Sequence, residues 1–555
     1  MTEPSEPLWP QCTALTTSGT DWSGSQLAMR TWGTEGPQQV GCRGIKVSPF
    51  DECLAHLSKT DRAEYFGRLG AGANIDHSGT QISEQILKGL LAAVTDPETE
   101  SARFGTVNFT EATFNIADFE GVEFAGEVSF FEAIFKRAVH FDSAAFGGDA
   151  SFRRVLFSRG VSFGGARFTG QADFSGSKIE KATQFGPLFC AGDLDLTNMT
   201  FAVPVTIEAS AVAVRCNRTR WESTATLRLR HARVELADAV LIRPVAVTSH
   251  PSEFGTPDER EPGQLGPSEL GTPTVRVTSL RGVDAAHLVL TDIDLSDCEF
   301  AGVFHLDQLR IEGNCIFRFP PQGVRRRWIW PERWSRRRTV LEEHHWRALP
   351  AASGNPHPGW TGRPATAPSR SSQPADLAAT YRGLRKTFED TKNEPDAADF
   401  YYGEMEMRRH DSARSLGERR LLWAYWLLSG YGLRAMRAMG WLAFAMAATV
   451  FTLLFWGLPA HPRVQPITGT LDSGSDVRLS TRAPVPGGAA PGPWSDKLSK
   501  RRVDRALRTA VNSAVFRSAG QGLTVPGTYI EMTSRLVEPV LLVMVILAVR
   551  GRVKR

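Results

Sequence analysis

The sequence predicts a mainly β fold, a solenoid built from short strands, followed by an α-helical membrane segment near the C-terminus. Three observations carry that expectation. Phenylalanines recur at steps of five or six residues from Phe104 to Phe185, and a small or β-branched residue stands two positions before almost every one of them. Two apolar segments, Ala438–Gly457 and Tyr529–Val549, lie beyond the repeats.

The spacing starts at five, with Phe104, Phe109, Phe114, Phe119 and Phe124, and then alternates between six and five through Phe130, Phe135, Phe141, Phe146, Phe152, Phe157, Phe163, Phe168 and Phe174, closing on Ile179 and Phe185. The partners two positions earlier include Val107, Ala112, Ala117, Val122, Val128, Ala133, Val139 and Ala144. In an extended backbone, residues i and i−2 point the same way, so each unit turns one large and one small apolar side chain inward. A helix is excluded, because a period of five to six would sweep phenylalanine around every face of a 3.6-residue turn. Each buried Phe contributes about 1.5–3 kcal/mol. A single coil cannot bury its own column, so stability is expected from stacking, with a cap at each end.

The pattern returns at Val275, Leu280, Ala285, Leu290, Leu295 and Phe300 and runs on through Leu306, Ile311 and Phe317, with partners Val283, Leu288, Ile293, Cys298, Phe304, Leu309 and Cys315. A weaker version between Ala225 and Val247 (Leu227, Ala232, Ala237 and Ile242, with Leu229, Val234 and Ala239) joins the two arrays. The Pro-, Gly- and Glu-rich stretch 251–273 is then a loop thrown out of the solenoid.

The units Ala112-Thr-Phe-Asn-Ile, Ala117-Asp-Phe-Glu-Gly and Ile293-Asp-Leu-Ser-Asp resemble those of pentapeptide-repeat proteins. That resemblance implies a right-handed quadrilateral β-helix with four pentapeptides per coil. The order of segments, with the stretch Asn393–Arg408 and the basic end Arg550–Arg555, is similar to a group of bacterial pentapeptide-repeat membrane proteins. It implies no biochemical activity.

The first apolar segment, Ala438–Gly457, is uncharged and carries Trp441 and Trp456 near its ends, and about 20 such residues suffice to cross about 30 Å of hydrocarbon. The second, Pro539–Val549, must recruit Tyr529–Glu538 to span. Arginines 408, 409, 414, 419, 420, 434 and 437 precede the first segment, and Arg550, Arg552, Lys554 and Arg555 follow the second, which predicts a multi-pass plasma-membrane protein with the solenoid and both termini in the cytoplasm. The N-terminus lacks the basic and apolar regions of a secretory signal. Before the second segment, Leu498, Val503, Leu507, Val511 and Ala514 mark one face of a basic amphipathic helix.

With 64 basic and 60 acidic residues, no global field points to nucleic acid or to an acidic substrate. Seven cysteines, odd in number and widely spread, argue for reduced thiols rather than a disulfide framework. Cys12, Cys42, Cys53 and His56 are four soft donors including a Cys-x-x-His pair, a set that a structural zinc would hold tetrahedrally. Their irregular spacing leaves free thiols as the simpler reading, so no cofactor is required. Glu342-Glu-His-His345 lacks the spacing that sets two imidazoles on one helical face, and is expected to be a solvated helix. The stretch Arg325–Arg338, rich in Arg and Trp, suits anionic headgroups better than nucleic acid. No phosphate loop, nucleophile elbow or paired carboxylates form a coherent catalytic motif.

The expected organisation is an N-terminal capping region (1–100), the solenoid (101–320), a basic and then Pro/Ser-rich linker (321–375), juxtamembrane helices (376–437), a first transmembrane helix (438–457), a loop with the amphipathic helix (458–528), a second transmembrane helix (529–549) and a basic tail (550–555). The function that follows is a non-enzymatic scaffold bound to the lipid bilayer, holding an unidentified protein partner and no small-molecule substrate. The alternative is a channel-like two-helix module regulated by the solenoid, although Pro526 in Thr524–Tyr529 breaks the likeness to a carbonyl-lined filter. DNA mimicry toward topoisomerase, which the family resemblance brings to mind, needs a far more acidic surface than this solenoid carries.

Overall fold

The structure is a computed structural model and describes residues 9–17, 39–181, 183–252, 254, 274–321, 324–327, 330–333, 336–349, 359–362, 373–459, 468–471, 477–480, 498–512 and 523–553. The chain forms two compact units, Met1–Phe400 and Tyr401–Arg555. The greater part of the stretch 251–273 and the side chains of 322–335 lie outside the described residues.

The first unit is a parallel β-solenoid of about nine turns. Its strands are mostly two residues long and pair only with their counterparts one turn away: Phe135 with Phe157, Val139 with Val161, Phe146 with Phe168, and Ala150 with Ala172. These four registers repeat around each coil, so a turn has four short strands. The phenylalanines consequently stack in four columns, with ring centroids at 4.9 Å for Phe114–Phe135, 5.1 Å for Phe119–Phe141, 4.9 Å for Phe124–Phe146 and 5.1 Å for Phe130–Phe152. That spacing is imposed by the roughly 4.8 Å separation of hydrogen-bonded strands.

The alternation of five and six reflects two kinds of corner. In the five-residue steps that start at Phe109, Phe119, Phe130, Phe141, Phe152, Phe163 and Phe174, the N–H three residues after the phenylalanine donates back to its carbonyl, as in Ala112 to Phe109, Val122 to Phe119 and Ala133 to Phe130. The residue between is left-handed: Glu111, Gly121, Glu132, Ser143, Arg154, Gly165 and Gly176 all have φ between +56° and +73°. This is a type II turn. Between Phe124 and Phe185 the six-residue steps turn without a left-handed residue.

In the middle of the solenoid the register differs from the sequence pattern. Val234, Leu236, Ala239 and Leu241 face inward, whereas Ile242, expected inside, is exposed. Pairing of Val214 with Val234 and of Trp221 with Leu241 fixes this register, and a one-residue slip exchanges the faces of a strand. Phe304, also expected inside, is 62% exposed, while every other position expected inward in the second array is buried.

The stack begins upstream of the phenylalanines, where Ala73–Asp76 pairs in parallel with Arg103–Asn108 and Gln81–Ile82 with Thr113–Phe114. Helices α1 (Lys59–Gly67) and α2 (Glu84–Ala93) close this end, each capped by a serine, Ser58 or Ser83. Buried His77 stacks on Phe109 at 6.2 Å and meets the Tyr65 hydroxyl at 3.3 Å, continuing the aromatic column.

The far end is closed by helices α3 (Leu341–Ala348), α4 (Pro374–Asp390) and the start of α5 (Glu394–His410). Phe317, on the last rung, packs against Phe388 and Phe400, and Thr387 donates to the Leu306 carbonyl at 2.8 Å. The helix expected to be solvated is instead buried: Glu342, Glu343 and His344 are all within the cap. Glu343 is matched there, because Arg337 grips it through bonds of 2.6 and 2.7 Å, Arg347 adds one of 2.7 Å, and Tyr381 donates its hydroxyl to the same carboxylate.

In the second unit, α6 (Leu416–Ser429) leads to α7 (Ala435–Thr452), which widens into a π-helical turn at Leu453–Gly457. Helix α8 (Lys500–Val511) and the long α9 (Val525–Val553) follow. Two spans, Ala435–Gly457 and Val525–Arg550, of 23 and 26 residues, are long and apolar enough to cross a membrane. Both leave large apolar side chains exposed, among them Phe444, Phe451, Val543 and Ile546.

Candidate functional site

The donors proposed from sequence converge. Cys12, Cys42, Cys53 and His56 lie far apart in the chain, yet their donor atoms all fall within 4.8 Å of one another. Cys42 Sγ is 3.7 Å from Cys53 Sγ, and His56 Nδ1 is 3.5 Å from Cys12 Sγ and 3.3 Å from Cys53 Sγ. A tetrahedral ion holding sulfur at about 2.3 Å and nitrogen at about 2.0 Å sets its donors roughly 3.5–3.8 Å apart.

Local backbone structure explains the convergence. Strands Leu15–Thr17 and Gln39–Gly41 pair antiparallel, and the ladder extends to the cysteines, with Cys42 N–H donating to Ala14 and Cys12 N–H to Gly44. Each of these two sulfurs accepts an N–H from two residues on, Ala14 to Cys12 at 3.5 Å and Gly44 to Cys42 at 3.3 Å. The bond from Gly44 favours the thiolate of Cys42. The other two donors sit on one turn, closed by His56 N–H to the Cys53 carbonyl at 2.9 Å. Arg62 braces that turn by donating to the carbonyls of Leu54, Ala55 and Leu57. Gly44 is required by close approach, since a Cβ there would lie 2.7 Å from Cys53 Cβ.

Cys12 and Cys53 are buried, while Cys42 and His56 are half-buried. The Cys42 thiol is lowered, chiefly by its hydrogen bond with Cys53, and Cys53 is pushed far up by that bond and by burial. The other four cysteines, Cys190, Cys216, Cys298 and Cys315, are buried among the inward residues of the solenoid, where burial raises their thiols. All seven are free. Sequence reasoning named the four donors but missed Gly44 and Arg62; the Cys-x-Gly order at 42–44 was the available signal for the first.

On the outer faces, charges pair between adjacent turns: Arg154 with Glu132 at 2.9 Å, Arg228 with Glu208 at 3.0 Å, and Arg103 with Glu123 at 3.3 Å. A shallow depression, lined by Asp118, Lys136, Arg137, His140 and Arg159, lies on one edge.

In the second unit, Thr524 caps α9 by accepting the Gly527 N–H at 3.1 Å, and its own hydroxyl donates to the Trp456 carbonyl at 2.6 Å. Residues 525–529 are thus the first turns of a helix, not an extended filter. Arg502 of α8 donates to the carbonyls of Leu454, Leu458 and Pro459, capping the end of the first span. Thr449 donates to Glu538 at 2.8 Å between α7 and α9.

The chain carries pentapeptide repeats: a family model described as pentapeptide repeats (9 copies) matches residues 130–178. No curated protein and no solved structure matches the chain.

Proposed function

We propose that this protein is a membrane-anchored scaffold without catalytic activity, holding a protein partner on the outer faces of its solenoid on the cytoplasmic side of the plasma membrane. The observation that carries this reading is the pairing of outward charges from turn to turn on a stack of strands. It yields a rigid, patterned surface with little free field, suited to recognising a complementary protein rather than a polyanion. The apolar spans supply the anchor, and the arginines before the first and the basic tail after the second favour cytoplasmic ends.

Photo-crosslinking in native membranes tests it. A photoreactive residue at exposed Ala138, beside the depression, should capture the same protein in repeated preparations, and probes on other faces should capture less of it. Equal, non-recurring labelling from every face removes the scaffold reading.

A conducting two-helix module is the second reading, favoured by Glu538, an ionisable residue hydrogen-bonded between the two apolar helices. Single-channel recording of the purified chain in planar bilayers decides it, and a silent bilayer removes the pore.

A further inference from the structure

We infer that Cys12, Cys42, Cys53 and His56 bind one structural Zn²⁺, and that this ion holds shut the N-terminal cap of the solenoid. The donor set is of the Cys₃His type used by closed structural zinc sites, and three thiolates select a thiophilic ion over magnesium or calcium. Three of the six donor separations, at 3.3–3.7 Å, are already close to the edges of a tetrahedron around zinc, and all six lie within 4.8 Å. The N–H bonds onto Cys12 and Cys42 are those expected around ligating sulfurs, and the remaining ring nitrogen of His56 is left to a second-shell partner.

The capping role follows from what lies between the ligands and the first turn. Residues 43–45 leave Cys42 and run across residues 77–80, the outermost rung. Ile45 N–H donates to the Ser78 carbonyl at 2.8 Å, and the Arg43 guanidinium pairs with Glu111 at 2.7 Å. The Trp9 indole donates to the Arg43 carbonyl at 2.8 Å, tying in the segment that carries Cys12. On its other side that rung is bonded into the stack, with Gly79 N–H donating to the Thr110 carbonyl at 2.8 Å. An uncovered rung is a strand edge open to pairing with another chain. Few apolar side chains anchor the covering segment, among them Val47, Leu54 and Leu57. A metal crosslink between its two halves supplies what so small a core cannot.

The test uses the full chain purified in detergent. Elemental analysis should find one zinc per chain, and exchange with Co²⁺ should give the visible absorption of a tetrahedral thiolate site. Cys53→Ser and His56→Ala should lose the metal, and Cys190→Ser should keep it. His56→Cys should retain the metal while shifting the cobalt spectrum, an outcome a misfolded cap would not produce. Hydrogen exchange after metal removal should rise in peptides from residues 42–57 and stay unchanged in 130–178. A chain that is metal-free and takes up no Co²⁺, or a Cys53→Ser chain that keeps its zinc, overturns the site. Unchanged exchange in 42–57 after metal removal overturns the capping role.

Discussion

Two adjacent glutamates in α3 show how little of a buried residue's behaviour its type decides. Burial alone would raise Glu343, but Arg337 and then Arg347 override it and hold the carboxyl far below its usual range. Its contribution is present above the unfolded value of about 4.3 and is lost as pH falls below that. Glu342 is pushed up to about 7 by burial, and its Oε2 has no hydrogen-bond partner among the described residues. The sign is opposite: stability is full below the unfolded value and declines as pH rises through the folded one, by about 3 kcal/mol at the upper end. Glu342→Gln should therefore raise the melting temperature at about pH 8, with the gain vanishing near about pH 4. A gain independent of pH would show that ionisation is not the cause. In the columns, Phe130→Ala should cost about 3–5 kcal/mol, because the ring is fully buried between Phe109 and Phe152. Phe304→Ala, at an exposed position, should stay within about 0.5 kcal/mol in the same denaturation assay.

At the scale of the element, the corner is the repeating unit. Gly121 has φ +65°, and a Cβ there would meet nothing within 4 Å, so a substitution tests backbone conformation alone. Gly121→Val is expected to destabilise the solenoid by about 1–2 kcal/mol, the cost of a left-handed L-residue, measured by denaturant unfolding of the purified chain. Corners were legible in the sequence as steps of five and six. Which residue turns inward was legible throughout the series from Phe104 to Phe185, and it failed at Ile242 and Phe304, where aliphatic and aromatic residues stand on both faces and only strand pairing sets the register. Helix α6 was expected only within the juxtamembrane helices of 376–437, without bounds of its own, since it mixes Arg419 and Arg420 with Leu421 and Trp423, and its buried contacts depend on Tyr402 and Tyr431.

For the whole molecule, the proposed membrane anchor makes a direct prediction. The full chain should stay with the membrane fraction through alkaline carbonate extraction, whereas a chain ending at Arg434, before both apolar spans, should be released. Retention of the shortened chain would place the anchor elsewhere. Composition and period by themselves determined that the protein is a stack of short strands with apolar helices after it, because a column of large side chains at a fixed step admits few backbones. They also named the four donors near the N-terminus. Only the tertiary structure decided that those donors meet, that Glu342 and Glu343 are buried, and where the stack begins. Each of these depends on contacts between residues distant in sequence, and a contact of that kind leaves no periodic trace in the chain.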